Sequence, residues 1–256
     1  MSGEAKVLVG TCGFPMSRRK YYNTFDTVEL QDTFYNPPNP DRLSKLRNEA
    51  PTNFIFNMKA WQAITHPPSM PTWRRSKFKP PKELWDKYGF LRPTKENFEA
   101  WEQIEEAAKV INARVVVIQL PSSFKCNEEN LRNAKEFLAS ITSSNFFIGL
   151  ELRGEWIQQR GLIEELISVS EGVIHVVDPF RADPVVLKDI SYLRLHGIGG
   201  KDVNYRYKYT DNDLNQLKKK IEDNIIRYSK EVYVMFNNIY MKDDALRFKN
   251  IFLSVK

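Results

Sequence analysis

The 256-residue sequence predicts an α/β fold, a single (β/α)8 barrel, and three observations carry that expectation. Eight short apolar runs recur along the chain, segments with helical spacing separate them, and no glycine-rich phosphate loop follows the first run. Continuous apolar strands suit a parallel sheet covered on both faces, and parallel neighbours need crossovers of helix length. Eight such units favour closure into a barrel. An open doubly wound sheet stays the alternative, because periodicity does not itself show that a sheet closes.

Taken in order, Lys6–Gly10 (KVLVG) runs into GTCGF, which has neither G-x-G-x-x-G nor P-loop spacing. Thr27–Leu30 (TVEL) follows a short, weak helical signal, and Arg42–Glu49 is the first clear amphipathic helix. Asn53–Lys59 (NFIFNMK) is the third strand. The next stretch, His66–Leu91, is irregular, rich in Pro, Lys, Arg and Trp, and too long for an ordinary connection; such loops in compact domains are commonly functional or disordered. Helix Lys95–Ile111 precedes strand Arg114–Gln119 (RVVVIQ), Glu129–Ile141 precedes Phe146–Glu151 (FFIGLE), and Glu155–Val169 precedes Val173–Val177 (VIHVV). A second weak helical signal leads to Tyr192–Leu195 (YLRL), and Asn212–Tyr228, Val232–Phe236 (VYVMF) and Asp243–Phe252 complete the pattern. Beyond this rhythm there is no internal repeat and no low-complexity tail.

With 42% hydrophobic residues the chain can bury a large core without disulfides. Its two cysteines, Cys12 and Cys126, lie too far apart in sequence for a disulfide framework or a zinc pattern, so a reducing, cytoplasmic setting is expected. The start, MSGEAKVLVG, lacks the pattern of a signal peptide, and no apolar run approaches the roughly 18 residues of a membrane helix, so no membrane partner is expected.

Polar residues cluster at the predicted C-terminal ends of the strands, where the loops of such barrels build sites. They are Glu29; Lys59 with His66 beyond it; Gln119; Glu151 and Arg153; Asp178; Arg194 and His196; and Asn237 with Asn238. A buried charge is costly unless paired, so these positions imply either ion pairs near the barrel mouth or a ligand site. Glu29, Glu151 and Asp178 are the candidate carboxylates for acid/base work, with Lys59 and Arg194 able to separate their pKa values. His196 suits proton transfer or phosphate binding as well as a plain hydrogen bond, whereas His175, mid-strand, reads as structural. The three histidines show no metal-ligand spacing, which leaves Mg2+ or Mn2+ on Glu29, Glu151 or Asp178 as an open cofactor expectation. Cys12 reads as a small hydrophobe before a nucleophile.

The net charge of +6 is concentrated in three predicted loops: Ser17–Lys20 carries +3, Trp73–Lys82 carries +5 through Arg74, Arg75, Lys77, Lys79 and Lys82, and Lys201–Lys208 carries +2, so the remainder is acidic. Two of these interleave cations with rings, Trp73, Phe78 and Trp85 in one and Tyr205, Tyr207 and Tyr209 in the other. Cations that neutralise phosphate beside rings that stack on bases suit single-stranded nucleic acid; rings that only anchor a loop are the bland alternative.

Seven ordered motifs resemble the YecE-like family across nearly the whole chain: GTCGF at Gly10–Phe14, VELQDTFYNPP at Val28–Pro38, FNMKAWQAITH at Phe56–His66, QLPSSF at Gln119–Phe124, ELRGEW at Glu151–Trp156, YLRLHG at Tyr192–Gly197 and VYVMFNN at Val232–Asn238. The family start usually reads GTSGW or GTSGY, so Cys12 and Phe14 depart from it, keeping a ring but not a hydroxyl. The resemblance implies a TIM-type barrel, related in shape to barrels that process sugars and damaged DNA, with a shared site at Glu29, Tyr35, Lys59, His66, Gln119, Glu151, Arg153, Arg194, His196, Asn237 and Asn238. It names no reaction.

The leading expectation is an anionic ligand at this face, single-stranded or distorted nucleic acid, with hydrolysis of a phosphodiester as its chemistry. Arg74, Arg75, Lys77, Lys59 and Arg194 would hold phosphates, Trp73 and Tyr207 would stack, and Glu29 or Glu151 would activate water, directly or through Mg2+. The alternatives are an enzyme acting on a sugar or sugar phosphate, with paired carboxylates and His196 as acid and base, and a binding site without chemistry.

Overall fold

In the computed structural model, which describes residues 5–141, 143–200 and 202–253, the apolar runs form eight strands closed into a parallel barrel in chain order. The strands are β1 (Lys6–Cys12), β2 (Thr27–Leu30), β3 (Ile55–Lys59), β4 (Ala113–Gln119), β5 (Phe147–Glu151), β6 (Val173–Val177), β7 (Ile190–Leu195) and β8 (Glu231–Phe236). The helices among the described residues are α1 (Arg18–Tyr22), α2 (Pro40–Glu49), α3 (Lys95–Ile111), α4 (Glu128–Ser140), α5 (Arg160–Ile167), α6 (Asp211–Asn224) and α7 (Met241–Leu253). The barrel expectation holds, and the open sheet is excluded. Contacts divide the chain into two compact units, Met1–Glu29 with Thr52–Ile55 and Ile174–Lys256, and Leu30–Pro51 with Phe56–Val173.

In the first unit β1 pairs with β2 and β8, and β7 pairs with β8. Gly10 is required by this packing: a Cβ there would stand 2.2 Å from the Thr27 carbonyl oxygen. The buried Tyr21 of α1 stitches the same strands, since its hydroxyl accepts the Thr11 N–H (2.9 Å) and donates to the Thr27 carbonyl (2.9 Å). The weak helical signal ahead of β7 forms no helix; residues 178–189 turn instead, as Pro179, Pro184 and the β-branched Val185 and Val186 disfavour one. His175 serves this loop, its Nδ1 accepting the Val185 N–H (3.1 Å). α6 opens on a capping box, Thr210 with Asp213, and stops short of the expected Tyr228.

In the second unit β4 pairs with β3 and β5. The β3–β4 register shifts between Phe56 and Met58, and the Asn57 amide oxygen there accepts the Val115 N–H (3.0 Å). The irregular 66–91 segment folds into two three-ten turns, Pro71–Arg75 and Lys82–Lys87. Its far end returns to the residues after β3 through Gly89 N–H to Ala63 (2.7 Å) and Leu91 N–H to Ile64 (2.9 Å). Buried Asn97 of α3 locks that return, accepting from Gly89 N–H and donating to the Arg92 carbonyl. The helix expected over 155–169 is split: Gly154–Gln158 is a three-ten turn, because Trp156 lies flat on Phe124 and donates its indole N–H to the Phe124 carbonyl (2.8 Å).

Gly10→Ala should destabilise the protein by about 3 kcal/mol or more, since the added methyl meets backbone rather than a movable side chain. Chemical denaturation measures it, and a cost below about 1 kcal/mol would show that β1 and β2 can part without consequence.

Candidate functional site

The first unit holds one group of the expected residues. Glu29, at the β2 end, is fully buried (0% exposed), as is Arg194 of β7. Arg194 donates to Glu29 Oε1 (2.9 Å), and the Tyr192 hydroxyl donates to Oε2 (3.0 Å). Tyr192 and Arg194 stand two apart on β7 and so share a face. Burial, with Glu29 next in weight, holds the Tyr192 phenol far above its usual pKa. Arg194 also reaches the Cys12 sulfur at 3.8 Å. With both oxygens engaged, Glu29 is a carboxylate held in place and is poorly disposed to activate water.

Asp178, just beyond β6, builds the following turn: its Oδ1 accepts the Phe180 N–H (3.0 Å), and its Oδ2 accepts the His196 N–H (2.9 Å). Arg181 Nε lies 3.5 Å and His196 Nδ1 3.6 Å from the same Oδ2. Arg181 continues to the carbonyls of Gly197 and Gly199, so Asp178 and His196 belong to one loop scaffold. Asn238 is likewise committed, donating to the Tyr207 carbonyl and to Asp244 (both 2.7 Å). Asn237 is half-buried, and its backbone N–H is given to Leu195. Tyr207, expected to stack on a base, donates its hydroxyl to Asp213 (2.7 Å) at the start of α6; burial and then Asp213 push its pKa up to about 12. Of the basic segment, Arg206 and Lys208 are exposed, while Lys201 lies outside the described residues.

The second unit gathers the other group. Lys59, at the β3 end, donates to Gln119 Oε1 (2.8 Å) and sits 3.9 Å from the Phe34 ring centroid. Gln119 is the register partner of Glu151, whose Oε1 takes Arg153 Nε (2.7 Å) and its terminal nitrogen (2.6 Å). His66 is buried, bonded through Nδ1 to the Thr65 hydroxyl (2.7 Å) and edge-on to Phe34. Burial first, then the charges of Lys59 and Arg153, lower its pKa to about 3, so His66 is neutral at physiological pH. Arg75 lies over the Tyr35 ring (3.8 Å) and donates to its hydroxyl (2.7 Å), while Arg74, Lys77, Lys79 and Lys82 are exposed.

Trp73 corrects an expectation. It is 3% exposed and donates its indole N–H to the His66 carbonyl (2.8 Å), so it anchors the loop and offers no face to a base. Among the described residues, no three His, Cys, Asp or Glu side chains come together as ligands for a metal ion. Sequence reasoning missed Tyr192, Arg181 and Phe34. Tyr192 was findable, because its spacing from Arg194 puts both on one face of β7, and so was Arg181, three residues after Asp178; nothing along the chain ties Phe34 to Lys59.

A closed parallel barrel with paired charges at its strand ends defines the class, and the chain belongs to the family described as "Protein of unknown function DUF72", which matches residues 16–253. It is 27% identical over 252 residues to the UPF0759 protein YunF of Bacillus subtilis (strain 168), covering 85% of this chain and 79% of YunF. The solved DUF72 protein of Thermotoga maritima MSB8 is 24% identical, with a TM-score of 0.72 and coverage of 96% of this chain and 98% of that one. That of Enterococcus faecalis V583 is 19% identical, with a TM-score of 0.70 and coverage of 98% and 99%. The barrel fold extends further, to a D-psicose 3-epimerase (TM-score 0.57, 10% identity, 96% and 97% covered) and an AP endonuclease, family 2, from Brucella melitensis (0.51, 10%, 90% and 92%). The family and the barrel expected from the seven motifs are thus both shown.

Two outcomes test this geometry. Arg194→Met should cost about 3–5 kcal/mol in urea unfolding by stranding the Glu29 carboxylate, and Glu29→Gln added to it should recover part of the loss; a single-variant cost near zero would show that the pair carries no structural weight. For His66 the folded pKa lies below the unfolded value of 6.5, so the unfolded chain binds the extra proton and stability falls as pH drops from about 6.5 toward 3. Between pH 7 and 5 this residue should remove about 2 kcal/mol, a loss missing from His66→Gln; equal acid sensitivity in both proteins would refute it.

Proposed function

We propose that the protein binds a phosphate-bearing ligand, single-stranded or locally distorted nucleic acid, through the strand ends of the second unit and its 66–91 loop. One arrangement carries this reading: Lys59 and Arg153 stand at or just beyond the strand ends of a unit whose loop exposes Arg74, Arg75, Lys77, Lys79 and Lys82. Cations with backbone-anchored positions attract polyanions with little ordering cost. Phosphodiester hydrolysis is the chemistry the site would serve. Glu151 would take the proton of an attacking water, Lys59 and Arg153 would counter the charge on the phosphate, and the leaving oxygen would take its proton from solvent. Glu151 is the carboxylate of this unit's strand ends, held by Arg153 and in register with Gln119, the partner of Lys59. The Brucella AP endonuclease supports the reading only as a barrel of similar fold.

A sugar phosphate is the second reading, favoured because Lys59, His66, Gln119 and Glu151 are all buried, which suits a ligand smaller than a polymer. A sugar phosphate that raises the melting temperature of the wild type but not of Glu151→Gln would select it.

Anisotropy of a labelled single strand should show affinity falling steeply with salt. Arg74→Ala with Arg75→Ala should flatten the log–log slope by about 1.4, at roughly 0.7 per lost phosphate contact. Binding that ignores both salt and the double substitution would dispose of the polyanion reading.

A further inference from the structure

The chain has five tryptophans, and four serve the interior. Trp61 packs edge-on against Phe78, Trp73 against Tyr88, Trp101 beside Phe146 and Trp156 flat on Phe124, and none is more than 4% exposed. Trp85 differs from all of them. It stands on the three-ten turn Lys82–Lys87, is only half-buried, and packs against no other ring among the described residues. Its indole N–H is already given to the Pro80 carbonyl (3.1 Å), so the polar edge is satisfied and the orientation fixed. What the side chain still offers is a flat aromatic face.

That face lines a cleft of about 320 Å3 together with Met70, Trp73, Arg74, Lys79 and Pro80. The volume lies at the small end of the roughly 300–1000 Å3 typical of ligand pockets, which suits one flat ring system and not a duplex. No carboxylate lines the cleft, whereas Arg74 and Lys79 are both exposed there. An apolar slot with a π-face and a cationic rim matches a ligand that is aromatic at one end and anionic at the other.

The geometry points to a nucleobase subsite: one unpaired base of a single strand stacks on Trp85, and Arg74 and Lys79 take the flanking phosphates. This rests on the single-strand reading above and adds to it where a base is held. Stacking on a fixed indole is tolerant of base identity, because every base has a π-face. The subsite therefore confers preference for unpaired over paired strands without choosing a sequence.

A short oligothymidylate added to the full-length protein should quench tryptophan fluorescence saturably. Trp85→Ala should weaken its binding roughly 5- to 150-fold, the range for one lost stacked base, while Trp85→Phe should keep most of the affinity and lose most of the quench. A strand with the same phosphates but abasic sugars should bind the wild type with the same deficit, a comparison that does not depend on how any variant folds. If Trp85→Ala and the abasic strand both bind within about twofold of the parent pair, the base subsite is wrong while salt-dependent strand binding stands. Quenching by a proline-rich peptide in place of the oligonucleotide would make the cleft a peptide groove and overturn the inference. Absence of any salt-dependent strand binding would remove the broader reading together with it.

Discussion

A strand covered on both faces can hold an ion only where a partner meets it, and that constraint organises this barrel. Glu29 and Arg194 are the severe case, both without exposure and joined at 2.9 Å. Desolvating such a pair costs several kcal/mol per ion, and mutual attraction repays it only when the remaining donors and acceptors are filled. Tyr192 fills the second carboxylate oxygen from two positions away on β7. Buried charges at other strand ends obey the same rule, where backbone N–H groups and longer side chains become available: Asp178 with two backbone amides and Arg181, Glu151 with Arg153, Lys59 with Gln119.

The two units meet this constraint with different chemistry. In the first, carboxylates are the focus, and they shape the chain: Asp178 closes a turn, Asp213 caps α6, and Asp244 gathers Asn238 and Arg247. Their oxygens are spent on protein donors, which is the pattern of a scaffold. In the second, burial first, and then the charges of Lys59 and Arg153, keep His66 neutral well below its usual pKa. A group so held carries no pH-sensitive charge near neutrality.

The strands were readable because continuous apolar runs have few other uses in a chain of this composition, and α3 matches its expected bounds, Lys95–Ile111, because Thr94 caps one end and Asn112 turns left-handed at the other. Where a tertiary contact outweighed local pattern, the reading failed. Trp156 pulled the start of an amphipathic segment into a three-ten turn, and prolines removed the helix ahead of β7. The strand-end residues were legible by position but not by partner, since position along a strand says nothing about which side chain arrives from another. That is why Glu29 read as a water-activating base when its surroundings make it one half of a salt bridge. In the same way, Trp73 and Trp85 were indistinguishable as letters in one loop, and only burial separates the anchor from the free face.

The order of that loop bears most directly on the proposed binding. A 26-residue segment of prolines and cations would ordinarily be expensive to fix, and a ligand that had to fix it would lose affinity accordingly. Here the fixing is done with groups that no anion needs: the Trp73 indole to His66, the backbone return at Gly89 and Leu91, and the Asn97 amide. The cations take little part in it, apart from Arg75 on Tyr35 and Lys79 at the Trp73 carbonyl. Anchoring by neutral groups leaves the charged ones at the surface, so the entropy of the loop is settled on folding and the cations stay exposed for the proposed polyanion.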